Sequence, residues 1–378
     1  MSARGEDARR VALRVLDRID DQGAYANLVL GGELERSRLD ERDRAFATDL
    51  VYGVTRLRRR LDHLVDRFLL RPVDPPVRAA LRLGAYQLHE LHTPPHAAVS
   101  ATVDAVGERR VRGLVNAVLR RVAEAPVADG AWPDLATRLS YPDWLVERVI
   151  TDLGEAEAVA ALEAMNEPAG VSVRDDGYVQ DPASQFVAEL VGAQPGERVL
   201  DVCAAPGGKA TAMAGAGALV VAADVRRSRA RLVSANAARL GLAGSLATIV
   251  ADGTAAPLRQ GSFDRVLLDA PCSGLGALRR RADARWRIEP DAVARLAALQ
   301  RQLLAAAADL VRPGGVLVYS VCTLTEAEGP DVTTALDWPA EPPPGEPWRP
   351  WRTGAVLLPQ TAGTDGMFLA RWNRPADS

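Results

Sequence analysis

Two short stretches bring together residue types that can do covalent chemistry. Asp269–Gly274, DAPCSG, puts a carboxylate and a thiol on one tight turn, and Ser320–Thr325, SVCTLT, supplies a second thiol at Cys322. Each turn continues an apolar run that reads as a buried strand. Adjacent parallel strands lie about 5 Å apart, so both turns open onto one crevice. No histidine follows His96, which excludes a Cys–His hydrolase built within this part of the chain. A thiol here needs another activator, such as burial beside a basic group or a helix N-terminus. A carboxylate beside a thiol, without histidine, is equipment for attack on a pyrimidine ring. The thiolate adds to carbon 6, the acid serves ring nitrogen N3, and carbon 5 becomes nucleophilic. The bland alternative for each of Cys203, Cys272 and Cys322 is a small buried hydrophobe.

A third stretch, Val199–Thr211 (VLDVCAAPGGKAT), reads as a strand, a glycine turn at Gly207 and Gly208, and the start of a helix. Such a junction turns backbone N–H groups and the positive helix end toward a ligand, and glycine lets the ligand come close. Lys209 is the only lysine in a chain that otherwise uses arginine. The turn matches neither G-x-G-x-x-G nor the G-K-[ST] ending of a P-loop, which weakens a nicotinamide or triphosphate reading. Asp224, Asp252 and Asp269 are acidic residues at successive strand ends. Asp224 is placed for a ribose diol, or equally for a helix N-cap. Acidic strand ends without a phosphate cradle suit an adenosine-type ligand that carries no phosphate.

These residues need a scaffold, and the surrounding pattern supplies one. Strands over 198–202, 219–224, 247–251, 263–269 and 316–322 alternate with helices over 208–214, 228–240 and 290–311. That alternation predicts an α/β, doubly wound parallel sheet with ligands at the carboxyl ends of its strands. Strands over 355–358 and 367–372 predict a hairpin-like pair on the sheet edge, with a surface loop over 339–347. The first third is helical, with periodic segments over 7–22, 42–60, 61–70, 75–91, 96–107 and 111–123. Residues 125–133 read as a linker, 141–166 as two more helices, and 166–181 as a loop with a short strand over 171–174.

Composition sets limits. At 378 residues the chain has room for two or three domains. A formal charge of −3 gives no global sign of nucleic-acid binding, so local patches must carry it. One arginine cluster comprises Arg56, Arg58, Arg59 and Arg60, and another Arg109, Arg110, Arg112, Arg120 and Arg121. Each is a solvated helix face or an RNA-facing patch. Arg279–Arg281, Arg285 and Arg287 surround Trp286, which suits an RNA backbone and a stacked base, or a solvated loop before a helix. His89, His92 and His96 are interrupted by Pro94 and Pro95 and joined by no cysteine or carboxylate cluster, so no metal is expected. No stretch is apolar and long enough to span a bilayer, and MSARGEDARR lacks a signal core. A cytoplasmic protein with reduced thiols and no membrane contact is expected.

Five segments then stand in order: QDPAS at 180–184, LDVCAAPGGKAT at 200–211, LLDAPCSGLGALRRRADARW at 267–286, YSVCTLTEAE at 319–328 and GTDGMFLAR at 363–371. Together they resemble the RsmB/Sun (Fmu) family of RNA cytosine-5 methyltransferases. The helical first third resembles the NusB-like RNA-binding domain of bacterial members. The resemblance implies a class I methyltransferase fold, Rossmann-like with an antiparallel edge strand, behind an all-α domain. It implies domains at 1–124 (NusB-like), 125–184 (connector) and 185–378 (catalytic). S-adenosylmethionine is the implied cofactor, with Cys203, Ala204, Ala205, Pro206, Gly207, Gly208 and Lys209 lining its pocket. Asp224 would hold the ribose, Asp252 would lie near the adenine, and Asp269 would border the cofactor while serving the cytosine. Cys322 would be the nucleophile, and Cys272 would assist breakdown of the adduct. The implied partner is RNA, with a flipped or single-stranded cytosine of 16S rRNA as target. No DNA and no obligate protein partner are expected. Val321 and Thr323 depart from the family's threonine and serine beside the nucleophile. The 166–180 segment is shorter than the family's substrate-binding region, which predicts altered RNA docking. Two alternatives remain: an RNA-binding assembly factor with little turnover, and a methyltransferase acting on another substrate such as tRNA.

Overall fold

A computed structural model describes residues 7–125, 127–128 and 131–376. Residues 1–6 of the stretch read for a signal core lie outside them, as do 126, 129 and 130 of the 125–133 linker. The chain divides into two compact units, Met1–Val146 with Arg280–Arg287, and Glu147–Arg279 with Ile288–Ser378.

The first unit is helical: α1 (Ala8–Gln22), α2 (Ala26–Arg36), α3 (Glu41–Arg56), α4 (Arg58–Asp66), α5 (Pro75–His89), α6 (Pro95–Ala105), α7 (Arg112–Glu124) and α8 (Leu135–Leu139). Asp7 caps α1 through the Arg9 N–H, and Pro75 and Pro95 open α5 and α6 at positions where no N–H is required. The segment read as one helix over 42–60 breaks at Leu57, whose backbone leaves helical geometry. α2 was not legible, because Gly31 and Gly32 weaken both its propensity and its apolar stripe. Leu50, Leu61, Leu81, Leu83 and Leu119 form a fully buried core. A Cβ at Gly53 would stand 2.1 Å from Tyr86 Cζ, and one at Gly84 2.3 Å from Leu119 Cδ1, so α5 packs closely on both α3 and α7.

The first arginine cluster is spent inside this unit. Arg56 is buried, and Arg59 binds Thr137, the Tyr141 carbonyl, Asp134 and Asp143. Arg58 pairs with Asp20, and Arg60 with Glu90. Arg285–Arg287 also departs from both readings offered for it. Arg285 is fully buried 4.0 Å over the Tyr141 ring and donates to the carbonyls of Arg56 and Ser140. Trp286 Nε1 donates to the Thr55 carbonyl at 2.7 Å, and Arg287 to those of Gly23 and Ala24. These side chains hold protein carbonyls, neither solvent nor an open RNA surface.

Helix α9 (Asp143–Leu153) spans the boundary. The second unit continues with α10 (Glu155–Ala164), α11 (Pro182–Val191), β1 (Arg198–Asp201), α12 (Gly208–Gly215), β2 (Leu219–Asp224), α13 (Arg227–Arg239), β3 (Leu246–Val250) and β4 (Phe263–Asp269). After these come α14 (Pro290–Leu310), β5 (Val311–Val321), α15 (Pro330–Thr333), β6 (Arg349–Trp351), β7 (Gly354–Leu357), α16 (Pro359–Ala362) and β8 (Met367–Asn373). The sheet order is β3-β2-β1-β4-β5-β8-β7-β6. The first five strands are parallel, and β8, β7 and β6 add on antiparallel. Val199, Leu200, Val266, Leu267, Leu317 and Val318 are at most 1% exposed, as expected when helices cover both faces of a parallel sheet. The predicted edge pair is larger than a hairpin. β8 enters between β5 and β7, and β6 adds a strand that Pro350 concealed. β5 begins five residues before its predicted start, because Pro313, Gly314 and Gly315 masked its first half. No helix among the described residues is long and apolar enough to cross a membrane.

Candidate active site

The site is assembled beyond the carboxyl ends of the parallel strands, within the second unit. Backbone bonds carry the ladder past those ends: Val202 N–H to Leu267 O (2.9 Å), Ala204 N–H to Ala223 O (2.8 Å) and Ala270 N–H to Ser320 O (2.9 Å). The glycine loop then turns with Gly207 N–H on Ala204 O at 2.7 Å, and α12 starts at Gly208. Gly207 has φ +107°, and a Cβ there would stand 3.2 Å from the Val233 backbone. From α13, Arg229 donates to Ala205 O (2.8 Å) and Asn236 to Pro206 O (2.9 Å). The loop is therefore held from α13 through the carbonyls of Ala205 and Pro206, and by its own Ala204 and Gly207 N–H groups.

The segment read as a loop with a strand over 171–174 forms a small turn closed by an antiparallel bridge between Val173 and Val179. It lies on the glycine loop. Arg174 donates to Gly208 O at 2.5 Å, and Gln180 sits where a Cβ on Gly208 would be.

Four of the predicted residues converge. Lys209 Nζ lies 2.7 Å from Asp269 Oδ2, and Ser320 Oγ donates to Asp269 Oδ1 at 2.8 Å. Cys272 Sγ and Cys322 Sγ are 3.2 Å apart and hydrogen-bonded. Burial alone would lower the Lys209 ammonium. Asp269, with Asp201 and the Cys322 sulfur, outweighs burial and holds it above the ordinary lysine range. Lys209 is a buried cation that the Cys322 sulfur influences. The Cys272 thiol is pushed well up, by its hydrogen bond to Cys322 and then by burial. Cys203 stands apart: burial and the carboxylates of Asp201, Asp269 and Asp224 push its thiol up, which leaves it inert.

The residues assigned to a cofactor have unequal surroundings. Asp224 is buried; its Oδ1 accepts the Arg226 N–H at 2.9 Å, and Arg229 lies 3.5 Å away. The cap of α13 is Arg226, so Asp224 is not that cap. Asp252 is exposed, and its carboxylate accepts from Thr254 N–H and Oγ1, which lowers its pKa. Asp201 was missed. It is 1% exposed, and neither carboxyl oxygen meets a hydrogen-bond partner. Burial, then Asp269, pushes it up to about 8, against the pull of Lys209 and the Cys203 amide. Its sequence signal was an acid ending an otherwise apolar strand. An unsatisfied buried carboxyl beside a glycine loop and a second buried acid fits a ligand that brings a cationic group and a diol.

Comparison with known proteins places the chain in a family. The profile of the family described as 16S rRNA methyltransferase RsmB/F matches residues 188–373, and that of the NusB family matches 6–124. The ribosomal RNA small subunit methyltransferase B of Thermus thermophilus is 41% identical over 97% of both chains. That of Xylella fastidiosa is 34% identical over 96% of this chain and 97% of its own. The crystal structure of PH0851 superimposes with a TM-score of 0.77 at 22% identity, covering 97% of this chain and 98% of that one, which speaks to the fold.

Proposed function

Because this chain belongs to the RsmB/F family of 16S rRNA methyltransferases, we propose that it methylates carbon 5 of a cytosine in 16S rRNA through a covalent bond from Cys322. Its methyl donor is S-adenosylmethionine, which supplies an electrophilic methyl group when bound. The residues that would hold that donor are the Cys203–Lys209 loop (Cys203, Ala204, Ala205, Pro206, Gly207, Gly208 and Lys209), Asp224 toward the ribose, Asp252 at the outer rim, and Asp269 at the border with the base. Asp201 joins them as the buried acid facing a cationic group.

The observation that carries the reading is the pair of sulfurs at 3.2 Å beside the Lys209–Asp269 ion pair. Lys209 stabilises the Cys322 thiolate, which bonds to carbon 6. Asp269, fixed by Lys209 and Ser320, serves the N3 edge of the ring, with the Lys209 ammonium as the proton source it holds. Carbon 5 then carries the electron pair that takes the methyl group. The carbon 5 proton then passes to solvent, N3 returns its proton to Lys209 through Asp269, the double bond re-forms and Cys322 departs as thiolate. Cys272, still protonated, hydrogen-bonds the departing sulfur. The helical unit is proposed as the RNA-binding domain, with its share of 125–184 as connector; no DNA, membrane or obligate protein partner enters this cytoplasmic reading.

The test is 16S rRNA containing 5-fluorocytosine, whose fluorine blocks loss from carbon 5. A stable protein–RNA adduct mapped by mass spectrometry to Cys322 is expected. Methylation of normal RNA without any adduct on fluorinated RNA would overturn the covalent route, and an RNA-binding assembly factor would give neither. Methylated tRNA with unmodified 16S rRNA would move the substrate.

A further inference from the structure

Glu328 is fully buried, yet its carboxylate gathers donors from three segments. Oε1 accepts from the Ser273 N–H (2.7 Å) and Gln300 Nε2 (3.1 Å). Oε2 accepts from the hydroxyls of Ser273, Thr323 (3.1 Å) and Thr325 (3.3 Å). Ser273 follows Cys272, and Thr323 follows Cys322. One side chain therefore grips the residue next to each sulfur.

The two turns need such a link. The β4–β5 pairing ends at Asp269 and Ser320. Beyond it, Ala270 N–H to Ser320 O and Gly276 N–H to Cys322 O bracket the thiols. Between these bonds the turns meet through side chains, the sulfurs at 3.2 Å and the Ser273 and Thr323 hydroxyls at 3.3 Å, and Glu328 Oε2 accepts from both of those hydroxyls. Gln300 reinforces the grip by donating to Pro271 O at 2.8 Å. Tyr319 Oη holds the Glu328 carbonyl at 2.6 Å. A buried carboxylate is a poor way to fill a core, because desolvation opposes it unless every lone pair is met. Here the lone pairs are met by the very turns that carry the thiols.

We propose that Glu328 is a positioning residue for methyl transfer, setting the distance between the Cys272 and Cys322 sulfurs through Ser273 and Thr323. The inference rests on the two-thiol reading above. Its scale follows from geometry, since a misplacement of about 1 Å costs on the order of 100-fold in rate.

The test uses Glu328→Gln in the full chain, which keeps the shape but turns one acceptor into a donor facing other donors. The kcat for RNA methylation should fall about 10- to 100-fold, while KM for RNA and Kd for S-adenosylmethionine stay near wild type. Diamide should close the Cys272–Cys322 disulfide more slowly in the folded variant, because the sulfurs have parted. Thr323→Val removes one hydroxyl without adding a donor and should shift both readouts the same way by less. Wild-type kcat in both variants, or losses that track cofactor affinity and folded fraction alone, would overturn the proposal. Absence of the 5-fluorocytosine adduct in the wild-type protein would instead overturn the two-thiol reading.

Discussion

Cys322 and Cys272 carry the same functional group in different surroundings, and the surroundings divide their work. The Cys322 sulfur acts on the Lys209 ammonium, whereas the Cys272 thiol is pushed up by its hydrogen bond to Cys322 and by burial. Cys322→Ala should abolish methyl transfer and leave S-adenosylmethionine affinity nearly unchanged by calorimetry. Cys272→Ala should trap the covalent protein–RNA species on denaturing gels; prompt release would remove its role. Asp201 carries a separate, pH-dependent signature. Its folded-state pKa of about 8 lies above its ordinary 3.8. The folded protein therefore keeps a proton that the unfolded chain has lost, so this stability is complete below the lower value and disappears as pH rises through the upper one. Melting temperature should fall more steeply between about pH 4 and about pH 8 in wild type than in Asp201→Asn, and the two slopes should converge above that window. Equal slopes would exclude Asp201 as the source. The thiols and Asp269 were legible because strand ends in a doubly wound sheet face the ligand. The Lys209–Asp269 pair was not, because its members lie sixty residues apart and no local pattern links them.

Three loops meet at glycines where no side chain fits. A Cβ on Gly276 would lie 2.2 Å from Gly366 O and 3.1 Å from the Cys322 carbonyl carbon. Gly366 N–H in turn donates to Gly276 O at 2.8 Å. Backbone cannot step aside as a side chain can, so Gly276→Ala must part the loop after β4 from the loops after β5 and before β8. We expect a loss of about 1–3 kcal/mol in urea unfolding and a fall in kcat of at least about tenfold. Gly244→Ala is the control. Nothing lies within 4 Å of its Cβ, and its effect should stay within about 0.5 kcal/mol. A harmless Gly276→Ala would mean that the loops are not locked together. The sequence showed strands β2 and β4 to the residue, since apolar runs ended cleanly at acids. It hid the start of β5, where Pro313, Gly314 and Gly315 sit beside a register shift in the β4–β5 pairing, and all of β6, where Pro350 lies on an edge strand.

The molecule as a whole uses arginine more for construction than its clusters suggested. Arg82 pairs with both Asp62 and Asp20 inside the helical unit, and Arg285 is buried against Tyr141 with its pKa lowered to about 10 by desolvation. Arg285→Ala would leave a cavity and abandon the carbonyls of Arg56 and Ser140. A loss of about 2–4 kcal/mol is expected, read as a lower urea midpoint; an unchanged midpoint would show that the contact is dispensable. Arg109 and Arg120, by contrast, stay exposed. From residues alone one could derive the two-part architecture, the direction of the sheet, the thiols at its rim and the family. All of these follow from periodicity and from short contiguous motifs. Only the folded chain decided which arginines face inward, that Asp201 is buried beside Asp269, and that Glu328 links the two thiol turns. Those facts depend on distances between residues far apart in sequence, and burial, not residue type, sets whether a charge is spent or available.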